Sequence, residues 1–174
     1  MKYNQNQRLV FIALLVAQAV VLSLLEQVIP TPFWIAPGAK LGLANIITCI
    51  ALFKLPIKDT IAIIVTRLLL ASFLGGTLST LLFSTAGATL SFVGMYGVYK
   101  LGPKRVSMIG ISVAGATLHN FGQLLIASHI ARTWNVLLYL PVLTFIGILS
   151  GIATGVAASY LLQSLNKIPI WKQT

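Results

Sequence analysis

Glu26, Lys40, Asn45, Arg67, His119, Asn120 and Gln123 stand in or beside long apolar runs, where polar groups are costly and tend to face a cavity or each other. As a set they hold two fixed cations, Lys40 and Arg67, against one carboxylate, Glu26. An Arg in a dry setting prefers a planar anion that it can grip with two hydrogen bonds. The chemistry on offer is therefore capture of a carboxylate- or phosphate-bearing small molecule with an apolar body, its head at Lys40 and Arg67. The competing reading is mutual satisfaction, with Glu26 neutralising Lys40 or Arg67 and Asn45 bonding backbone across helices. His119 and Gln123, four residues apart, share one helix face, and a helix around them would point both inward.

These residues need helices to position them. The chain has 174 residues, 57% of them hydrophobic, with a mean hydropathy of +0.95. That composition excludes a nucleic-acid binder despite the +10 net charge. A bilayer core takes roughly 17 to 25 apolar residues per helix. Six such runs are predicted, over about 9–29, 38–53, 60–75, 78–101, 106–130 and 134–165, with the boundary at Gly75 and Gly76 marked by no charge. The expected fold is all-α, one integral membrane domain over 1–174. The first run is full length and is followed by Pro30, Thr31 and Pro32, so it is expected to be retained as a helix and not cleaved as a signal peptide.

Charge gives the orientation. A cytoplasmic N-terminus puts Lys2, Arg8, Lys54, Lys58, Lys100, Lys104, Arg105, Lys167 and Lys172 inside and leaves Lys40, Arg67 and Arg132, so nine of the 12 basic residues lie on one side. Cytoplasmic loops retain Lys and Arg, and an even number of spans puts both termini there. In this frame Glu26, Lys40, Asn45, His119, Asn120 and Gln123 fall in the outer half, with Arg67 near mid-depth. The sixth helix adds Trp134 or Tyr139 to the same outward-facing pocket. His129 and Arg132 are expected at the wet outer rim.

The segment PGAKLGLANI, from Pro37 to Ile46, carries Gly38, Lys40, Gly42 and Asn45 in what should be its first turns. Glycine permits close approach, and a helix N-terminus offers unpaired N–H groups to an anion. Pro30, Pro32 and Pro37 around Phe33 and Trp34 stiffen the preceding loop, as suits a lid, with Phe33 and Trp34 against the apolar part of a ligand. Ala13 and Ala17 form A-x-x-x-A on the first helix, and Gly147, Gly151 and Gly155 a longer stripe on the last. Small residues at spacing four let helices approach closely in lipid. The glycine stripe should pack inside the bundle; the alanines could do the same or dock another membrane subunit, and spacing does not separate the two.

The chain holds two acids, Glu26 and Asp59, and one cysteine, Cys49. No disulfide framework or cysteine-rich metal site is expected, and Cys49 reads as a small buried apolar residue. Metal-assisted diphosphate chemistry needs clustered carboxylates to hold Mg²⁺, and no such cluster exists. There is no G-x-x-x-x-G-K-[ST] loop either, so ATP would be hydrolysed by other subunits.

PGAKLGLANI, TRLLLASFLGG around Arg67, FSTAGATLSF from Phe83 to Phe92, and SVAGATLHNFGQL from Ser112 to Leu124 resemble the bacterial membrane family called Gx transporters. Its members are often labelled heptaprenyl diphosphate synthase component I, and the resemblance covers about Leu9 to Leu161. That family is similar to the substrate-binding S-components of energy-coupling factor (ECF) transporters. The resemblance implies a six-helix fold in the cytoplasmic membrane and an outward-side pocket. It also implies docking of a transmembrane coupling subunit at Ala13 and Ala17, with ATPase subunits supplying energy. The expected function is a non-enzymatic substrate-capturing importer subunit without a cofactor of its own. The alternative is a noncatalytic membrane component of heptaprenyl diphosphate or isoprenoid-quinone synthesis.

Overall fold

A computed structural model describes residues 5–28, 42–102 and 105–167. Six α-helices follow one another: α1 (Gln5–Val28), α2 (Asn45–Lys54), α3 (Ile57–Gly75), α4 (Leu78–Tyr99), α5 (Met108–Ile130) and α6 (Leu140–Lys167), the last preceded by a short 3₁₀ helix, Trp134–Tyr139. No strand occurs among the described residues. Four stretches are long and apolar enough to cross a membrane, namely α1, α4, α5 and Trp134–Lys167. The 19-residue α3 has a comparable length but carries Lys58, Asp59 and Arg67.

Local chemistry sets the boundaries. Thr77 caps α4 through a reciprocal pair of bonds with Thr80, so the uncharged Gly75–Gly76 turn is a sharp break. Ser107 caps α5, its side chain accepting from the Gly110 amide. Two boundaries differ from the sequence expectation. The second helix begins at Asn45 and not at Gly38: Gly42, at φ 81°, turns the chain, and residues 42–44 form a turn closed by Asn45 N–H donating to Gly42 O. Asn45 is thus the first helical residue. The stretch expected as a helix from Trp134 opens in 3₁₀ geometry and becomes α-helical only at Leu140.

The short α2 touches all five other helices. Ile47, Cys49, Ile50, Ala51 and Leu52 are buried around its circumference, the pattern of a helix enclosed by others. Phe11, Leu15 and Ala19 of α1, Ile63 of α3, Met95 of α4, Ile111 of α5 and Ala158 of α6 complete the core around it. Cys49 lies inside this core beside Met108, as a small apolar residue would. Large apolar side chains instead cover the outside, Leu14, Val21 and Leu25 on α1 and Phe145, Leu149 and Tyr160 on α6 among them. That much exposed apolar surface is what a bilayer covers.

The glycine stripe of α6 packs inside the bundle, against α5. A Cβ at Gly151 would meet Val113 Cα at 2.5 Å, and one at Gly155 would meet Ile109 Cα at 2.7 Å. Ser112 Oγ and Thr154 Oγ1, 2.7 Å apart, bond across the same seam. Such bonds average about 0.6 kcal/mol in a bilayer, so most of the cohesion comes from close backbone approach. Ala13 and Ala17 face outward from α1 between Val10, Leu14 and Val21.

Candidate functional site

Four helices and the turn before α2 line one small cavity rich in polar groups. α1 contributes Ser23, Glu26 and Gln27; α3 contributes Arg67 and Ser72; α4 contributes Thr80 and Ser84; Gly42 and His119 close it. Spacings of three and four put Ser23, Glu26 and Gln27 on one face of α1, and Thr80 and Ser84 on one face of α4. The cavity holds about 20 Å³, room for one water. Pockets for small organic ligands run to about 300 Å³ or more, well above this volume.

Its electrostatics are set by two buried ions. Arg67, 4% exposed, lies in the field of the Glu26 carboxylate, 5% exposed. The same carboxylate accepts the Leu43 amide at 2.5 Å. One N–H at the approach to α2 is therefore taken by a side chain of this protein, a correction to the expectation that a ligand would find these groups open. Arg67 Nε, Gln27 Nε2 and Ser84 Oγ are buried without hydrogen-bond partners, and all three residues line the cavity. Unpaired buried donors cost roughly 1–3 kcal/mol each, which favours an acceptor-rich occupant.

His119 is held from two sides. Its Nε2 lies 2.8 Å from Gln123 Nε2, the pairing their spacing predicts. On the opposite side the ring rests on the α4 backbone at Gly87. Asn45 Nδ2 sits next to Gly42, beside the same imidazole.

The structure thus gathers Glu26, Arg67 and His119 on the cavity, with Asn45 and Gln123 behind His119. Asn120 goes elsewhere: its amide donates to Leu143 O on α6 at 2.8 Å, in the space that Gly147 leaves open. Trp134 and Tyr139, expected to supply the helix 6 contribution, are exposed and line no part of the cavity. Lys40, Trp34, Phe33, Gly38 and the prolines at 30, 32 and 37 lie outside the described residues, as do Lys2, Lys104 and Lys172. Sequence reasoning missed Ser23, Gln27, Ser72, Thr80 and Ser84. Ser84 and Gly87 belong to FSTAGATLSF and lie one turn apart, a signal available in the sequence.

Residues 15–161 match the protein family described as heptaprenyl diphosphate synthase component I. The chain belongs to that family. No curated protein and no solved structure matches it. The name given to component I is that of one part of a synthase. In this component I chain Asp59 is held by Arg8 through two bonds of 2.6 Å, while Glu26 sits at the cavity. Among the described residues no group of three or more His, Cys, Asp or Glu could hold a metal ion.

Proposed function

We propose that this component I protein is the substrate-capturing membrane subunit of an energy-coupling factor type importer in the bacterial cytoplasmic membrane. It takes a small anionic or strongly polar-headed organic molecule with an apolar body from the outside. The observation that carries the reading is the group of unpaired donors on Arg67, Gln27 and Ser84 around a small cavity at the start of a half-length central helix. Helix termini that stop inside a bundle and face a polar site are a recurrent way to hold substrates in membrane carriers. On this reading Arg67 grips the anionic head, and Glu26 and His119 shape the site around it. Asn45, Gln123 and Asn120 support it, Lys40 adds charge from the adjoining segment, and Trp34 covers the apolar part. The chain crosses the membrane six times with both termini cytoplasmic. Ala13 and Ala17 receive the transmembrane coupling subunit, and separate ATPase subunits hydrolyse ATP.

The family's name favours a second reading, a noncatalytic membrane component of heptaprenyl diphosphate synthesis. Purification of the tagged full chain from its native membrane separates the two. Co-isolated ATPases and a bound small molecule, lost in Arg67→Gln, are expected. A stoichiometric soluble prenyltransferase without ATPases would overturn the importer reading.

A further inference from the structure

The end of α5 carries a feature that its own local rules do not explain. Arg132 N–H donates to His129 O, and Thr133 N–H to Ser128 O, the paired bonds of a helix stop whose turning residue is left-handed and usually Gly. Here that residue is Arg132, at φ 50°, the one non-glycine with positive φ among the described residues. An L side chain is disfavoured there, so glycine would hold the stop with less strain.

The arginine side chain lines an open cleft of about 460 Å³ with His129, Thr133, Trp134, Ser128 and Leu125. Trp134 is 74% exposed beside it, at the end of the bundle where α5 runs out. Both acidic side chains of the protein are engaged elsewhere, Asp59 by Arg8 and Glu26 by the Leu43 amide. Arg132 therefore makes this a cationic cleft, with His129 beside it, that neither acidic side chain answers. An exposed Trp next to an Arg at the end of a membrane helix is the arrangement that sits at headgroup level.

We infer that this cleft binds the phosphate of an anionic phospholipid headgroup, with Arg132 as the gripping cation, His129 and Thr133 as further donors, and Trp134 along the glycerol and upper acyl region. The site is separate from the Arg67 cavity and does not rest on the importer reading.

The test uses the full chain in neutral detergent, titrated with phosphatidylglycerol, phosphatidylcholine or inorganic phosphate and followed by native mass spectrometry and thermal unfolding. Wild type should bind phosphatidylglycerol roughly tenfold or more tighter than phosphatidylcholine, whose phosphate carries its own choline cation to oppose Arg132. Arg132→Gly should lose that preference while unfolding at the same or a higher temperature, because glycine relaxes the turn. Arg132→Asn, which also tolerates the left-handed region, should lose it equally, and Arg67→Gln should keep it. Retention of the preference in both Arg132 variants would overturn the assignment. So would displacement of phosphatidylglycerol by inorganic phosphate at equal concentration, since the site would then take free anions.

Discussion

The imidazole of His119 lies against the bare backbone of Gly87, where a Cβ would come within 2.7 Å of Cε1 and 2.8 Å of Nδ1. Two motifs far apart in sequence, FSTAGATLSF and SVAGATLHNFGQL, meet at this contact. Gly87→Ala should displace the ring and cost about 1–3 kcal/mol of stability. Thermal unfolding of Gly87→Ala, His119→Ala and the double variant checks it. Most of the cost should vanish when the imidazole is absent, and simple additivity would show that the clash is not the cause.

The field of Glu26 reaches the buried Arg67 while its oxygen accepts the Leu43 amide, so its charge and its hydrogen bond can be separated. Glu26→Gln keeps an oxygen to accept the Leu43 amide but removes the negative charge on that acceptor, whose field reaches Arg67, at an expected cost of about 1–3 kcal/mol. Replacing Arg67 by Met in the same chain should recover most of it. Unfolding midpoints in detergent decide the matter, and an undiminished midpoint for Glu26→Gln would mean that Arg67 is compensated by something else.

Not all glycines here serve packing. Gly151→Ala forces a methyl to 2.5 Å from Val113 Cα, a backbone atom that cannot swing aside, and should loosen the α5–α6 seam. Nothing lies within 4 Å of a Cβ at Gly97 on α4, and Gly97→Ala should stabilise by up to about 1 kcal/mol through helix propensity. Opposite signs in thermal unfolding are the expected outcome.

Ala13→Leu and Ala17→Leu enlarge side chains that already face outward, so the isolated chain should unfold within about 0.5 kcal/mol of wild type. Under the importer reading both variants lose co-purifying coupling subunit, because a bulky side chain blocks close helix approach. Retained association would remove these alanines from the docking surface.

Much of the helix order was legible because apolar runs of bilayer length leave little choice, and the α6 stripe announced its packing through spacing alone. The start of α2 was not, since hydropathy continues smoothly through Gly42 and only the backbone turn at φ 81° shows where the helix begins. Glu26, Arg67 and His119 stood out as charges or imidazole in apolar sequence. Ser84 did not, because a helical Ser or Thr can satisfy its hydroxyl on a carbonyl of the preceding turn, as Thr89 and Ser159 do here. Asn120, one residue further round the helix than His119, donates to Leu143 O of α6, a partner that spacing alone does not name.

The enclosure of α2 by all five other helices also dictates an order of assembly. As the chain is made, α4, α5 and α6 can dock in succession, each onto the neighbour just inserted, whereas α1 and α3 meet across an intervening helix and are fastened by Arg8 and Asp59, 51 residues apart. Among these six helices the second in order is the last to be covered, for its α6 side closes only when α6 arrives. Until then a ten-residue rod of about 15 Å, half a bilayer in length, stands partly unwrapped with Asn45 at one end and Lys54 at the other.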